Sequence, residues 1–200
     1  MDMLSKEYVQ SFYDNTLKQH GDRPEALRWS SVGQMHHYEG LVALEDKIEG
    51  KVLDYGCGKG DFYQFLLDKG CNIQYTGTDI NPGLIAKARE KYPAGRFILL
   101  DAEEDELTED FDYIFLCGVF NLRVEGLEET IKNVLRILFK RCCKTLVFNA
   151  LSAHNPLKSY ELFYIYPETL VTFALTELTP FVSLRHDRLL YDFFLLMHKR

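Results

Sequence analysis

The stretch that constrains this chain most is VLDYGCGKGDF, residues 52–62. Val52 and Leu53 end a short apolar run, and Asp54 places a carboxylate at the end of that run. Gly56, Gly58 and Gly60 follow, and Phe62, Phe65 and Leu66 then begin a helical apolar pattern. A strand, a glycine turn and a helix start are the parts of a nucleotide-binding β-α unit. Glycines let the backbone turn sharply and let a ligand approach the main chain. The helix N-terminus beyond them offers unpaired N–H groups. The spacing is G-x-G-x-G, whereas a dinucleotide fingerprint reads G-x-G-x-x-G. A carboxylate two residues before the first glycine suits a cationic or amino-bearing ligand better than a pyrophosphate. Taken alone, the stretch is also compatible with a tight strand-to-helix turn that holds no ligand.

The rest of the chain is long enough to complete such a fold. Two hundred residues with 46% hydrophobic composition supply a full core for one domain, without a disulfide or metal staple. Cys57, Cys71, Cys117, Cys142 and Cys143 form no C-x-x-C pair, which fits reduced thiols acting as small core hydrophobes. The net charge of −7 argues against a broad nucleic-acid-binding face. The opening MDMLSKEYVQ lacks the pattern of a signal peptide, and no run of about 18 apolar residues predicts a membrane span. A cytoplasmic protein is therefore expected, with no membrane or nucleic-acid partner; the oligomeric state is open.

Periodicity places helices over 5–20 and 31–46, with no strand before residue 51. Residues 1–48 thus read as an N-terminal helical cap and 49–200 as the core. Strands are predicted at 51–55, 73–79, 96–100, 111–118 and 144–150, and a closing hairpin at 181–187 and 190–199. Helices are predicted from 60 to 69, from Pro82, from 125 to 140 and from Pro167. Five β-α units and a hairpin predict an α/β, doubly wound and mostly parallel sheet. Asp79 ends the second strand about 20 residues after the glycine loop, where a ribose-binding acid belongs.

The 52–62 stretch resembles motif I of the class I S-adenosylmethionine-dependent methyltransferases of small-molecule type. The resemblance continues through Asp79-Ile80, Asp101-Ala102 and the Cys117 to Asn121 segment. It implies a seven-stranded Rossmann-like sheet of order 3-2-1-4-5-7-6, with strand 7 antiparallel. It also implies S-adenosylmethionine as cofactor and S-adenosylhomocysteine as product. Cofactor contacts would come from Asp54, Gly56, Cys57 and Gly58 around the glycine loop. Asp79 would hold the ribose, Ile80 would pack on the adenine, and Asp101 and Ala102 would meet its amino group. Cys117 and Gly118 would lie beside the sulfonium. Tyr13, Trp29 and Gln34 of the cap complete the set if the cap closes over the cofactor. A cap docked permanently on the sheet edge is the competing arrangement.

Methyl transfer from a sulfonium is an in-line displacement, so positioning and exclusion of water carry most of the task. A general base is needed only for an acceptor protonated at working pH. His154, just after the fifth strand, is the base candidate, and Asn121, His37, Tyr160 and Tyr164 are candidate substrate contacts. No His/Cys/Asp/Glu group has metal-ligand spacing, so no metal is expected. Two other functions remain open from the sequence: a cofactor-binding regulator without catalysis, and an NAD-dependent oxidoreductase, which the glycine spacing and Asp54 disfavour.

Overall fold

The computed structural model describes residues 1–43 and 47–199. Helix α1 (Met3–His20), a single 3₁₀ turn (Pro24–Leu27) and α2 (Ser31–Val42) precede the first strand. Then follow β1 (Glu49–Tyr55), α3 (Asp61–Asp68), β2 (Asn72–Asp79), α4 (Pro82–Lys91) and β3 (Arg96–Leu99). The second half comprises β4 (Phe111–Cys117), α5 (Leu127–Lys140), β5 (Cys142–Leu151), α6 (Pro167–Glu177), β6 (Val182–Leu189) and β7 (Asp192–His198). The seven strands form one sheet of order β3-β2-β1-β4-β5-β7-β6. Pairing is parallel from β3 to β5, while β7 runs antiparallel to both β5 and β6.

Two expectations are corrected. No helix joins β3 to β4 among the described residues, because 100–110 is a turn and an extended loop rich in acids. The helix expected over 31–46 ends at Val42, and residues 44–46 lie outside the described residues.

The local causes are plain in the sequence. In β4, Tyr113 to Leu116 are all buried, as a central parallel strand requires with helices on both faces. In α5, Leu127, Ile131, Val134 and Leu138 make one buried stripe. Asn81 caps α4, its side-chain oxygen accepting from Leu84 N at 2.8 Å, with Pro82 behind it in the first turn. Phe115, Phe148, Phe193 and Phe194 are fully buried in the strands, each contributing roughly 1.5–3 kcal/mol of burial free energy. By contrast, α1 contains no buried residue. Polar contacts hold it in place, as described next.

Candidate active site

The N-terminal segment crosses the carboxyl ends of the strands in the order in which the strands themselves lie. Lys6 pairs with Asp101, just after β3, at 2.6 Å. Gln10 Nε2 donates to Ile80 O at 2.7 Å, and Asn81 Nδ2 donates to Asp14 Oδ1 at 2.9 Å, both at the end of β2. Leu27 lies against Gly58 in the loop after β1, and Trp29 against Gly118 after β4. His37 pairs with Asp192 at the start of β7. The strand ends are where ligands bind in open α/β sheets, so the segment roofs the region that matters.

Beneath it lies a cavity of about 100 Å³ that opens to solvent. Tyr13, Leu27, Trp29 and Tyr38 line it from above. Asp54, Gly56, Cys57, Gly58, Asp79, Ile80, Asp101, Cys117 and Gly118 line it from the strand ends. Gly56, Gly58 and Gly118 hold φ of 76°, 55° and 66°, which only glycine adopts without strain.

Two carboxylates dominate the electrostatics. Asp54 is buried and accepts one hydrogen bond, from Tyr75 OH at 2.6 Å. Burial pushes its pKa up to about 7; the Tyr75 bond pulls the other way, and the charges of Asp79 and Asp61 add to the rise. Asp79 is also raised by burial, against the backbone N–H bonds from Asn81 and Gly58, each 2.9 Å long. Backbone N–H groups reach both oxygens of Asp79, Ile80 adding a third, and a carboxylate's four lone-pair sites still leave room for a ligand hydroxyl. Tyr13 is pushed up to about 12 by burial and by the charge of Asp79, so it enters the site as a neutral donor. Burial holds Cys57 and Cys117 well above the usual thiol range, which leaves them as unreactive thiols.

Lys59 leaves the cavity entirely. Its side chain is fully buried, and Nζ donates to the carbonyls of Asp22 and Arg23 while approaching Asp61 at 3.4 Å. Lys91 joins the same carboxylates, reaching Asp22 at 2.7 Å and Asp61 at 2.5 Å. This network ties the glycine loop to the turn after α1.

Several expected residues lie elsewhere. Gln34 donates to Asp61 at 3.3 Å instead of facing the cavity. His154 is exposed and pairs with Glu168 at 2.7 Å; the structure does not bring it to the cavity. The loop after β5 is tied back to the strand ends, with Ile165 N donating to Leu151 O at 3.1 Å and Phe163 N to Asn121 O at 2.9 Å, while His154 is held at the surface by Glu168 of α6. That pinning turns Phe163 and Ile165 inward. Tyr160 is left 86% exposed beside Arg123, and Tyr164 is left accepting from Ser159 N at 3.1 Å. His37 is buried beside the cavity, under Trp29. Asn121 sits behind Gly118, its Oδ1 buried without a partner. Ala102 is buried and donates from its amide to Tyr55 OH at 3.4 Å.

Sequence reasoning missed Leu27, Tyr38 and Tyr55. Tyr38 falls at helical spacing with Leu41 and Val42, a pattern that indicates packing. It does pack on Phe62 and Phe65, yet it also lines the cavity. Tyr55, inside the glycine stretch itself, was the one with a usable signal.

The residues present fit a nucleoside bearing a charged amino acid. Asp54 is a buried carboxylate with a single internal partner, Asp79 has free lone pairs at the strand end, and three glycines bare the backbone between them. Fold and site together define a Rossmann-like S-adenosylmethionine-binding protein.

Comparisons with known proteins agree. Residues 52–141 match the family model described as a methyltransferase domain. A Mycobacterium tuberculosis protein named as a methyltransferase is 27% identical over 73% of this chain and 91% of its own length. The malonyl-[acyl-carrier protein] O-methyltransferase of Acetivibrio thermocellus is 34% identical over 40% of this chain, which spans only 29% of that enzyme. The magnesium protoporphyrin IX methyltransferase of Synechocystis PCC 6803, solved with bound S-adenosylhomocysteine, superposes with TM-score 0.70 at 14% identity. That superposition covers 98% of this chain and 99% of the other, and it shows the shared fold. Residues 52–141 thus carry a methyltransferase domain, set in a fold that the whole chain shares with the Synechocystis enzyme.

Asp79→Ala is expected to weaken cofactor binding by about 1.5–3 kcal/mol, the scale of hydrogen bonds to a charged group. The substitution also strands the Gly58 and Asn81 amides, so part of the loss will come from a loosened loop. Calorimetry with S-adenosylhomocysteine measures it, and unchanged affinity in a folded variant would remove Asp79 from the site.

Proposed function

We propose that this enzyme methylates a small-molecule acceptor over the end of β4, and that the cavity residues divide between holding the cofactor and shaping the acceptor space. Bound S-adenosylmethionine supplies a methyl group already activated by the sulfonium charge. Asp79 takes the ribose hydroxyls, and Ile80, Asp101 and the Ala102 region take the adenine end. Asp54, Gly56, Cys57 and Gly58 take the amino-acid end, with Tyr13 and Tyr38 donating from the roof. Cys117 and Gly118 leave the backbone bare where the reacting carbon would lie. Asp54 is the observation that carries this reading. A buried carboxylate costs free energy when ionised, and an ammonium group from a ligand offsets that cost. In this reading no side chain serves as a general base, and water exclusion under the roof does the rest.

The small-molecule class of acceptor is supported by the placing of the site in a roofed cavity at the strand ends and by a net charge of −7. We assign the protein to the cytoplasm on its unpaired cysteines; no described helix is long and apolar enough to cross a membrane. The testing experiment is a labelled-methyl transfer screen over a metabolite extract, run with calorimetry on S-adenosylhomocysteine. Transfer to a low-mass product supports the reading. Tight binding with label on no product, or only on macromolecules, overturns it.

The roof is expected to tighten when a ligand enters. No residue of α1 itself is fully buried, and polar contacts hold much of it to the strand ends, where a bound ligand would add further contacts. Amide exchange over residues 8–42 is therefore expected to slow markedly when S-adenosylhomocysteine is added. Equal protection with and without ligand would mark the segment as a fixed wall.

A further inference from the structure

His37 and Asp192 are both buried, and they come from opposite ends of the chain. The His37 ring has an acceptor at each nitrogen. Nδ1 meets the Gly33 carbonyl at 2.7 Å, and Nε2 meets an Asp192 carboxyl oxygen. A carbonyl accepts only, so Nδ1 donates, and the ring is oriented by both bonds at once. The pair therefore locks the first turns of α2 onto the start of β7.

A lock of this kind is poor value as a stabiliser. Burying two polar side chains costs desolvation, and apolar residues of similar size often hold a core as well. Its position suggests another use. Trp29 lies on the His37 ring, with centroids 4.3 Å apart and planes tilted by 54°. The far edge of the indole presses on Gly118, where a Cβ would come within 2.6 Å of it. Asn121 Nδ2 borders the same point, 3.1 Å from where that Cβ would stand. Tyr13 and Leu27 cover the ends of β2 and β1, whereas Trp29 covers the end of β4.

We propose that the His37–Asp192 pair is a positioning device for Trp29, which it holds against Gly118 as the wall that the methyl acceptor meets. This rests on the reading that transfer occurs at the end of β4. Trp29 then sets the size of the acceptor space. His37 and Asp192 act through it without touching either substrate.

Trp29 is the chain's single tryptophan, so its fluorescence reports this wall alone. The test compares wild type, Asp192→Asn and the apolar double variant His37→Met/Asp192→Leu. The readouts are acrylamide quenching of Trp29, melting temperature and S-adenosylhomocysteine affinity. In the double variant the melting temperature is expected to stay near wild type while quenching rises several-fold. Affinity for S-adenosylhomocysteine is expected to change by less than about tenfold. Asp192→Asn is expected to show a smaller rise in quenching. If the folded double variant quenches like wild type, the pair is only a structural pin and the proposal fails. If S-adenosylhomocysteine fully shields Trp29 in wild type, or if the variants lose its binding, Trp29 belongs to the cofactor half and the acceptor wall is wrong. Absence of S-adenosylhomocysteine binding by wild type would instead refute the functional reading beneath it. Should the double variant not fold, Asp192→Asn carries the same comparison.

Discussion

Asp54→Asn is expected to stabilise the free protein at pH 8 while weakening its hold on the cofactor. The Asp54 carboxyl rises from 3.8 to about 7 on folding, chiefly through burial. Below pH 4 the group is protonated in both states and costs nothing. Between pH 4 and 7 the unfolded chain releases the proton and the folded one keeps it, so stability falls as pH rises through that window. Above pH 7 the full penalty stands, at most about 4 kcal/mol for a shift of roughly three units. Asparagine never ionises, and its Oδ1 still accepts from Tyr75. The variant should therefore melt higher than wild type at pH 8 and level with it at pH 4. Cofactor affinity should fall by about 1.5–3 kcal/mol, because the amino end loses a charged partner. Thermal melts across pH 4–8 check the first half and calorimetry the second. Identical pH slopes for the two proteins would show that Asp54 is ionised in the free fold.

Gly58→Val is expected to abolish cofactor binding and to shift the roof. Gly58 holds φ of 55°, and a β-branched residue there costs about 1–3 kcal/mol in backbone strain. A Cβ at this position would lie 2.7 Å from Leu27 Cδ1. The valine therefore meets the Leu27 side chain before any ligand arrives, so the substitution disturbs the 3₁₀ turn as well as the loop. Gly58 N also donates to Asp79, so movement here misplaces the ribose-binding carboxylate. Cofactor titration of the valine variant should show no binding, and exchange protection around Leu27 should fall. A variant that titrates like wild type would make the loop a turn and nothing more.

The sheet and its ligand edge were legible from local signals. Val52 to Asp61 announced a strand, a glycine turn and a helix because each step has its own residue chemistry. Asp79 was legible because one strand-to-helix period separates it from that loop. The terminal strand pair was legible because the break between two apolar runs leaves room only for a hairpin.

What the sequence could not determine was which long-range partners the cap would choose. Gln34 and Lys59 look equally polar in a string of letters; tertiary packing sends Gln34 to Asp61 and buries Lys59 against the carbonyls of Asp22 and Arg23. His154 stands at the right place in the chain for a ligand contact, yet the folded chain brings Glu168 of α6 to its ring at the surface. His37 became meaningful only once β7 delivered Asp192, 155 residues later, to its ring. The physical reason is range. Strand, turn and cap preferences act over a few residues and are written where they act. The pairing of buried polar groups is decided by which elements the completed sheet brings together.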